Sequence, residues 1–270
     1  MSDALAEWLH LFLRWFHVIA GFTWLGQTHL FNRLEKWMSE EPPKESGNLA
    51  GTLWMVHGGG FYYLQKQKKP EKMPETLRWF KWQSMLTWIS GFFLMLLLFY
   101  YIDNGAALAK PGVGFGTAAV WGLAILFLSW PVYVLLWRSP IGKNEPVGVA
   151  ICFALTMGVA YQLSECLGDR AMYLHVGAMF GTIMTANVWL IIIPSQKELI
   201  DAINADRAPD MSLAASAKQA SKHNTYMSVP LIVLMLASHF GPITYGSGHA
   251  LPILAALIIV GWIAARIIRG

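Results

Sequence analysis

Long apolar runs separated by polar connections dominate the chain. Most runs are close to the roughly 20 residues that an α-helix needs to cross a bilayer. The pattern therefore predicts an all-α membrane protein, a bundle of about seven transmembrane helices that forms a single membrane domain over residues 1–270. The predicted spans cover residues 7–30, 84–102, 114–137, 146–163, 171–193, 224–240 and 251–268.

Composition narrows the class further. The chain is 55% hydrophobic and 13% charged, whereas a typical soluble domain carries about 25% charged residues. The formal net charge of +4 comes from cations in the connections rather than from a basic stripe, so a nucleic acid partner is not expected. Cys152 and Cys166 form neither CxxC nor CxxCH, which argues against a zinc site and against covalently attached haem.

The placement of cations predicts the orientation. Residues 31–83 hold nine Lys and Arg residues and residues 194–223 hold four, with further pairs after the third span and at the C-terminal tail. The opposite side of the membrane receives only Lys110 and Arg170. Because positive loops stay in the cytoplasm, we expect a bacterial cytoplasmic membrane protein with a periplasmic N-terminus and a cytoplasmic C-terminus.

Two segments outside the spans have predicted structure. The apolar stretch LWMVHGGGFYYLQK (residues 53–66) predicts an interfacial or partly re-entrant helix, broken by Gly58, Gly59 and Gly60. Residues 209–221 predict a short surface helix, with Asp210 or Ser212 as its N-cap.

Histidines stand out among the polar residues inside the spans. An ionisable side chain in hydrocarbon costs a few kcal/mol and is a candidate for function. His17 lies about 15 Å into the first span, near the bilayer centre, with His10 and Arg14 on the same helix face. His175 begins the fifth span and His239 ends the sixth, so both are expected in the outer half.

This pattern favours haem b, which two facing histidines of a helix bundle can ligate. We predict His17, His175 and His239 as haem ligands, with Arg14 near a propionate. Gly21, one turn after His17, and the small-xxx-small pair Gly177 and Gly181 after His175 admit either a flat macrocycle or another helix backbone. The alternative for each histidine is a hydrogen bond to a neighbouring helix.

Other functional classes fit less well. A proton-coupled transporter needs acidic groups or broken helices in the membrane, whereas Glu165 and Asp169 fall in a predicted outer loop. The HGGG stretch at His57 is similar to an esterase oxyanion segment, but the sequence has no GxSxG motif. The predicted spans are rich in histidine and poor in carboxylates, which favours a metal or haem centre over a proton relay.

Five stretches resemble the membrane domain of the bacterial membrane-bound urate hydroxylase family, and together they extend over nearly the whole chain. The first stretch is also similar to the leading helix of HemJ-type protoporphyrinogen oxidases, in which a histidine at the place of His17 serves haem. The stretches are LRWFHVIAGFTWLG (13–26), LWMVHGGGFYYLQK (53–66), RWFKWQSMLTWISGF (78–92), LHVGAMFGTIMTANVWLIIIPSQK (174–197) and AKQASKHNTYMSVPLIVLMLASHF (217–240).

The resemblance implies oxidation of urate to 5-hydroxyisourate, with electrons passed to a cytochrome c domain that usually follows the membrane domain. This sequence has no CxxCH. We therefore expect a separate cytochrome c or a quinone as acceptor, and possible respiratory-chain subunits as partners beside membrane lipid. The alternative is that this homologue has a function other than urate oxidation.

Candidate residues for the reaction lie on the inner side. His57 and His223 are predicted as an inner ligand pair or as general bases, because urate oxidation needs a proton acceptor. Asn187, Asn224 and Tyr226 are predicted to hydrogen-bond the purine, with helix-to-helix bonding as their alternative use. A cytochrome b type electron-transfer subunit without a urate site, and a haem-dependent oxidase of another substrate, remain as competing functions.

Overall fold

A computed structural model of the chain describes residues 2–40, 47–68, 70 and 73–269. It consists of long helices and one β-hairpin. A π-helical turn, Leu96–Tyr101, extends the helix Trp82–Met95, and another, Val188–Ile192, joins the helices Asp169–Asn187 and Ile193–Asn204. The elements are α1 (Asp3–Glu40), β1 (Leu49–His57), β2 (Gly60–Gln67), α2 (Trp82–Met95), α3 (Phe115–Arg138), α4 (Glu145–Cys166), α5 (Asp169–Asn187), α6 (Ile193–Asn204), α7 (Met211–Ala237) and α8 (Ala250–Arg269).

Five helices are long and apolar enough to cross a membrane. They are Trp82–Tyr101, Phe115–Arg138, Glu145–Cys166, Asp169–Asn204 and Ala250–Arg269. This confirms the all-α membrane fold. The predicted spans 7–30 and 224–240 lie within α1 and α7, which are long but more polar, so the total of seven spans stays a prediction.

The segment 53–66 is a β-hairpin, and the predicted interfacial helix was wrong. Strands β1 and β2 pair in antiparallel register, with Trp54 opposite Tyr63 and their rings 4.7 Å apart. Gly58 and Gly59 form the two-residue turn, with φ of 57° and 79°. Such a turn needs positive φ at both positions, and β-branched and aromatic residues on both sides favour strands. The three glycines therefore join two strands rather than interrupting a helix.

The predicted surface helix 209–221 is the first part of α7. Asp210 is its N-cap and accepts a hydrogen bond from the Ser212 backbone N–H at 2.9 Å. Hydrogen bonds from Ser212 lower the pKa of the Asp210 carboxyl, so this cap persists until the pH falls through that lowered value. The cap is confirmed, but the helix continues without a break to Ala237.

Helix α5 lies at the centre of the bundle. Twelve of its nineteen residues are buried, and it packs against α2, α3, α4 and α7. A Cβ atom on Gly177 would lie 2.9 Å from Met235, and one on Gly181 would lie 3.3 Å from Leu231, both on α7. These two glycines therefore serve close helix packing rather than a slot for a macrocycle.

Consecutive spanning helices run in opposite directions and give the bundle two ends. At one end, Tyr173 donates a hydrogen bond to the Ala250 carbonyl at 2.7 Å, and Ala109 pairs with Leu167. At the other end, Lys222 forms an ion pair with Glu145. We name these the outer and inner ends, following the orientation that the cations predict. The termini of the described chain lie at opposite ends of the bundle.

Candidate functional site

A cavity of ≈ 580 Å³ lies between α3, α4, α5, α7 and α8. Most of its wall is apolar, with Ile125, Met179 and Phe180 among the lining residues. Its polar groups gather towards the inner end, where His223, Tyr133 and Glu145 line it. Ligand sites commonly combine such an apolar wall with a few polar groups, and their volumes range over about 300–1,000 Å³.

His223 is the central polar residue of this cavity. It is buried, its Nδ1 is hydrogen-bonded to the Tyr133 hydroxyl at 2.7 Å, and its ring centroid lies 4.1 Å from that of Trp137. Its Nε2 is buried and has no hydrogen-bond partner among the residues that the structure describes. Because a buried polar atom without a partner costs about 1–3 kcal/mol, this nitrogen indicates a position for a ligand.

The inner mouth of the cavity carries an excess of positive charge. Lys222 pairs with Glu145, which also lines the cavity. Arg266 lines the cavity as well, and the Arg269 guanidinium lies 5.9 Å from the ring of Tyr226, another lining residue. Three cations against one carboxylate favour an anionic ligand at this mouth.

Asn187 and Asn224 form a buried clamp between α3, α5 and α7. Asn187 Nδ2 donates to Asn224 Oδ1 at 3.0 Å, and Asn224 Nδ2 donates to the Met184 carbonyl at 2.9 Å. Trp130 Nε1 donates to Asn187 Oδ1 at 3.2 Å. Neither amide lines the cavity, so the structure gives both residues the alternative use, helix-to-helix bonding. Tyr226, by contrast, does line the cavity.

We expect Asn224→Leu to destabilise the protein by about 1–2 kcal/mol, the upper range for hydrogen bonds between membrane helices. The substitution removes one donor and one acceptor and leaves the Asn187 amide without its acceptor. Thermal unfolding in detergent measures the change. Asn204→Leu, at the exposed end of α6, is the matched control, and equal unfolding midpoints for the two variants would contradict the clamp.

His175 is fully buried near the outer end and uses both ring nitrogens. Its Nδ1 donates to the Ala171 carbonyl at 2.7 Å, and its Nε2 is hydrogen-bonded to the Tyr100 hydroxyl at 2.9 Å. Tyr100 lies in the π-helical turn that extends α2. This geometry leaves neither nitrogen free for iron and gives His175 a packing role.

His17 is arranged differently. Its Nδ1 lies 2.9 Å from the Thr87 carbonyl and 3.2 Å from Ser90 Oγ, both on α2. Because a carbonyl only accepts, Nδ1 carries the proton and Nε2 keeps its lone pair. A histidine that ligates a metal is usually held in this way by its second nitrogen. His17 therefore fits the requirements of a haem ligand.

The histidines predicted to ligate haem do not converge. His17 contacts Ser90, whereas His175 contacts Tyr100, ten residues or about 15 Å further along the same helix. His239 is exposed in the turn after α7. Within the part of the chain that the structure describes, no three His, Cys, Asp or Glu side chains lie together as ligands of a metal ion.

The family described as urate oxidase N-terminal matches residues 3–268, nearly the whole chain. The chain belongs to the urate oxidase N-terminal family. No curated protein and no solved structure matches it. The match confirms the resemblance seen in the five stretches.

The remaining predicted residues of this urate oxidase N-terminal protein lie apart from the cavity. His57 is exposed at the tip of the hairpin, beside the Gly58–Gly59 turn, and does not line the cavity, so it forms no pair with His223. Arg14 lies close enough to Arg170 of α5 for the two charges to interact near the outer end. His10 also lies close enough to interact with the charges of both arginines.

Several cavity residues were not anticipated from the sequence. Tyr133 and Trp137 lie one turn apart on α3, and Glu145 and Arg266 lie near the ends of α4 and α8. The spacing of the two aromatic residues, four positions apart, places them on one helix face. The sequence provides no signal, however, that this face meets His223 of α7.

Proposed function

We propose that this protein oxidises urate to 5-hydroxyisourate at the inner end of the cavity, within the cytoplasmic membrane. Membership of the urate oxidase N-terminal family supports the reaction class. The observation that carries the placement is the unpartnered, buried Nε2 of His223 in the cavity wall. In the tautomer whose Nδ1–H donates to the Tyr133 hydroxyl, His223 Nε2 has the lone pair that a general base needs.

The cavity mouth matches the chemistry of urate. At neutral pH urate is a planar monoanion, and the mouth holds Lys222, Arg266 and Arg269 against the single carboxylate of Glu145. The flat faces of Trp137 and Tyr226 line or adjoin the same region and suit a planar purine. Charge and shape therefore both favour a planar anion.

The reaction requires water, a proton acceptor and an electron acceptor. The urate monoanion and one water give the 5-hydroxyisourate monoanion, two protons and two electrons, with the water oxygen forming the new bond to C5. His223 Nε2 takes one proton in this step, while Tyr133, bonded to Nδ1, holds the ring in position. The charge that forms on the imidazole is disfavoured by burial and by Lys222 and Arg269, and Glu145 is the nearby group that attracts it.

Haem b is part of this proposal, and His17 is the residue that fits it, because its Nε2 keeps a lone pair while its Nδ1 is held by Thr87. Arg14, one turn earlier, offers a cation for a propionate. When bound, haem b supplies one-electron redox chemistry. His175 and His239 do not meet His17, so a second ligand is not assigned.

The first test is anaerobic turnover of the purified protein in lipid nanodiscs with urate and ferricyanide. We expect loss of urate, formation of 5-hydroxyisourate by mass spectrometry, and two ferricyanide ions reduced per urate. The visible spectrum is recorded with urate and then with dithionite. Haem bands that appear with dithionite only, without urate loss, would contradict the proposal and favour the cytochrome b type subunit.

A further inference from the structure

The cavity is larger than urate requires. An apolar cavity of about 150 Å³ holds a benzene ring, so the two fused rings of a purine occupy roughly 200 Å³ by the same measure. The cavity measures ≈ 580 Å³. More than half of it is therefore available to a second ligand.

The cavity is long, and its polar groups lie at one end. Along α4 its lining residues run from Glu145 to Val159, fourteen residues or about 21 Å. Glu145 lies at the inner end of this path, whereas Leu155 and Val159 lie in the middle of the span, and both are apolar. A ligand that fills the whole length must have a polar head and an apolar extension.

The apolar part opens towards the surface that faces lipid. Five lining side chains on α3, α4 and α8 are also exposed on the outside of the bundle, and the most exposed of them, Leu128, has 61% of its surface accessible. Because these helices are among those apolar enough to span the membrane, the accessible medium there is the acyl region. The five residues are Leu128, Val132, Val149, Leu155 and Ile263.

We propose that this lipid-facing part of the cavity binds a prenylated quinone, which accepts the two electrons taken from urate. The proposal rests on the proposed function. A quinone head is planar and carries two carbonyl acceptors, and the Arg266 guanidinium, which lines the cavity, can donate to one of them while His223 and Tyr133 act on urate. The prenyl chain lies between α3 and α4 and continues into the bilayer.

The balance of the reaction supports this occupant. Urate oxidation releases two electrons and two protons, and reduction of a quinone to a quinol consumes two electrons and two protons. Urate, water and quinone therefore give 5-hydroxyisourate and quinol, with no further oxidant. The proton taken by His223 returns to solvent or passes to the reduced quinone at the same end of the cavity.

The test compares two variants in nanodiscs and two acceptors. Val159→Trp fills the apolar part of the cavity, whereas Val120→Trp places the same side chain on the exposed face of α3, outside the cavity. The acceptors are a short-chain ubiquinone and ferricyanide. We expect the ratio of the ubiquinone rate to the ferricyanide rate to fall at least tenfold in Val159→Trp and to stay within twofold in Val120→Trp.

A binding measurement separates this proposal from the proposed function. The quinone retained by each protein after incubation and gel filtration is extracted and quantified, without any turnover. We expect about one quinone per wild-type chain, an equal amount in Val120→Trp, and at least a fivefold loss in Val159→Trp. Leu155→Trp is the second cavity-filling variant, with the same expected loss, in case Val159→Trp does not fold.

The outcomes are distinct. Retention of equal quinone by the filled and control variants overturns the quinone site, as does a wild type that oxidises urate with ferricyanide and never with quinone. Recovery of phospholipid alone from the cavity also overturns it. If neither acceptor supports urate oxidation, the proposed function fails, but selective loss of bound quinone in the filled variants still supports the site.

Discussion

His223→Gln should lower urate-dependent turnover with ferricyanide by at least 100-fold. A positioned general base contributes about 10²–10⁴-fold to a rate, and His223 Nε2, like Trp137 Nε1, is an unpartnered nitrogen in the cavity wall, but only the imidazole nitrogen can accept a proton at neutral pH. Glutamine keeps a polar side chain at this position but is not a base at neutral pH. Initial rates at saturating urate, measured at equal haem content, give the comparison.

The control for His223→Gln is His239→Gln, since His239 is exposed in the outer turn after α7. We expect wild-type turnover from this variant. A His223→Gln rate within threefold of the wild type would remove His223 from the proton transfer. The cavity would then keep a binding role only.

His17→Ala should abolish the haem b absorbance of the purified protein while the helical content stays unchanged. His17 offers a free Nε2 because its Nδ1 donates to the Thr87 carbonyl, and loss of an axial imidazole removes the bond that holds the iron. The pyridine haemochrome spectrum and circular dichroism measure the two quantities. Removal of the ring also leaves a space against Gly91, where a Cβ would approach His17 to 2.6 Å.

The matched control is His249→Ala, which changes an exposed histidine just before α8 and should keep the full haem content. Unchanged haem in His17→Ala would show that His17 is not a ligand. Its bond to Thr87 would then serve only the packing of α1 on α2.

The helices could be predicted from the sequence because length and apolarity alone decide whether a segment spans a membrane. Length and apolarity do not reveal the hairpin, although the sequence contains the residues typical of its turn and strands. Gly58 and Gly59 stand between Trp54 and Tyr63, in a stretch rich in β-formers. A glycine pair at this spacing is a stronger indication of a two-residue turn than of a broken helix.

The candidate site was predictable only in part. Helical spacing gives the position of a histidine along its helix, and the depths of His17 and His175 in the membrane stay predictions. It does not give the neighbour of each helix face. The partner of His175 is Tyr100, which the π-helical turn brings to it, and the partner of His223 is Tyr133. These pairings depend on helix packing between segments that are 75 and 90 positions apart.

Helix α1 is longer than a bilayer is thick. Its 38 residues extend about 57 Å, whereas a bilayer with its headgroups measures about 40–45 Å. The prediction that α1 spans the membrane therefore places its polar C-terminal part, which includes Arg33, Glu35 and Lys36, in water as a stalk. The ion pair of Glu35 with Lys66 attaches the hairpin to that stalk. A thicker membrane would shorten the stalk and draw the hairpin towards the headgroups, so the height of the hairpin above the lipid depends on bilayer thickness.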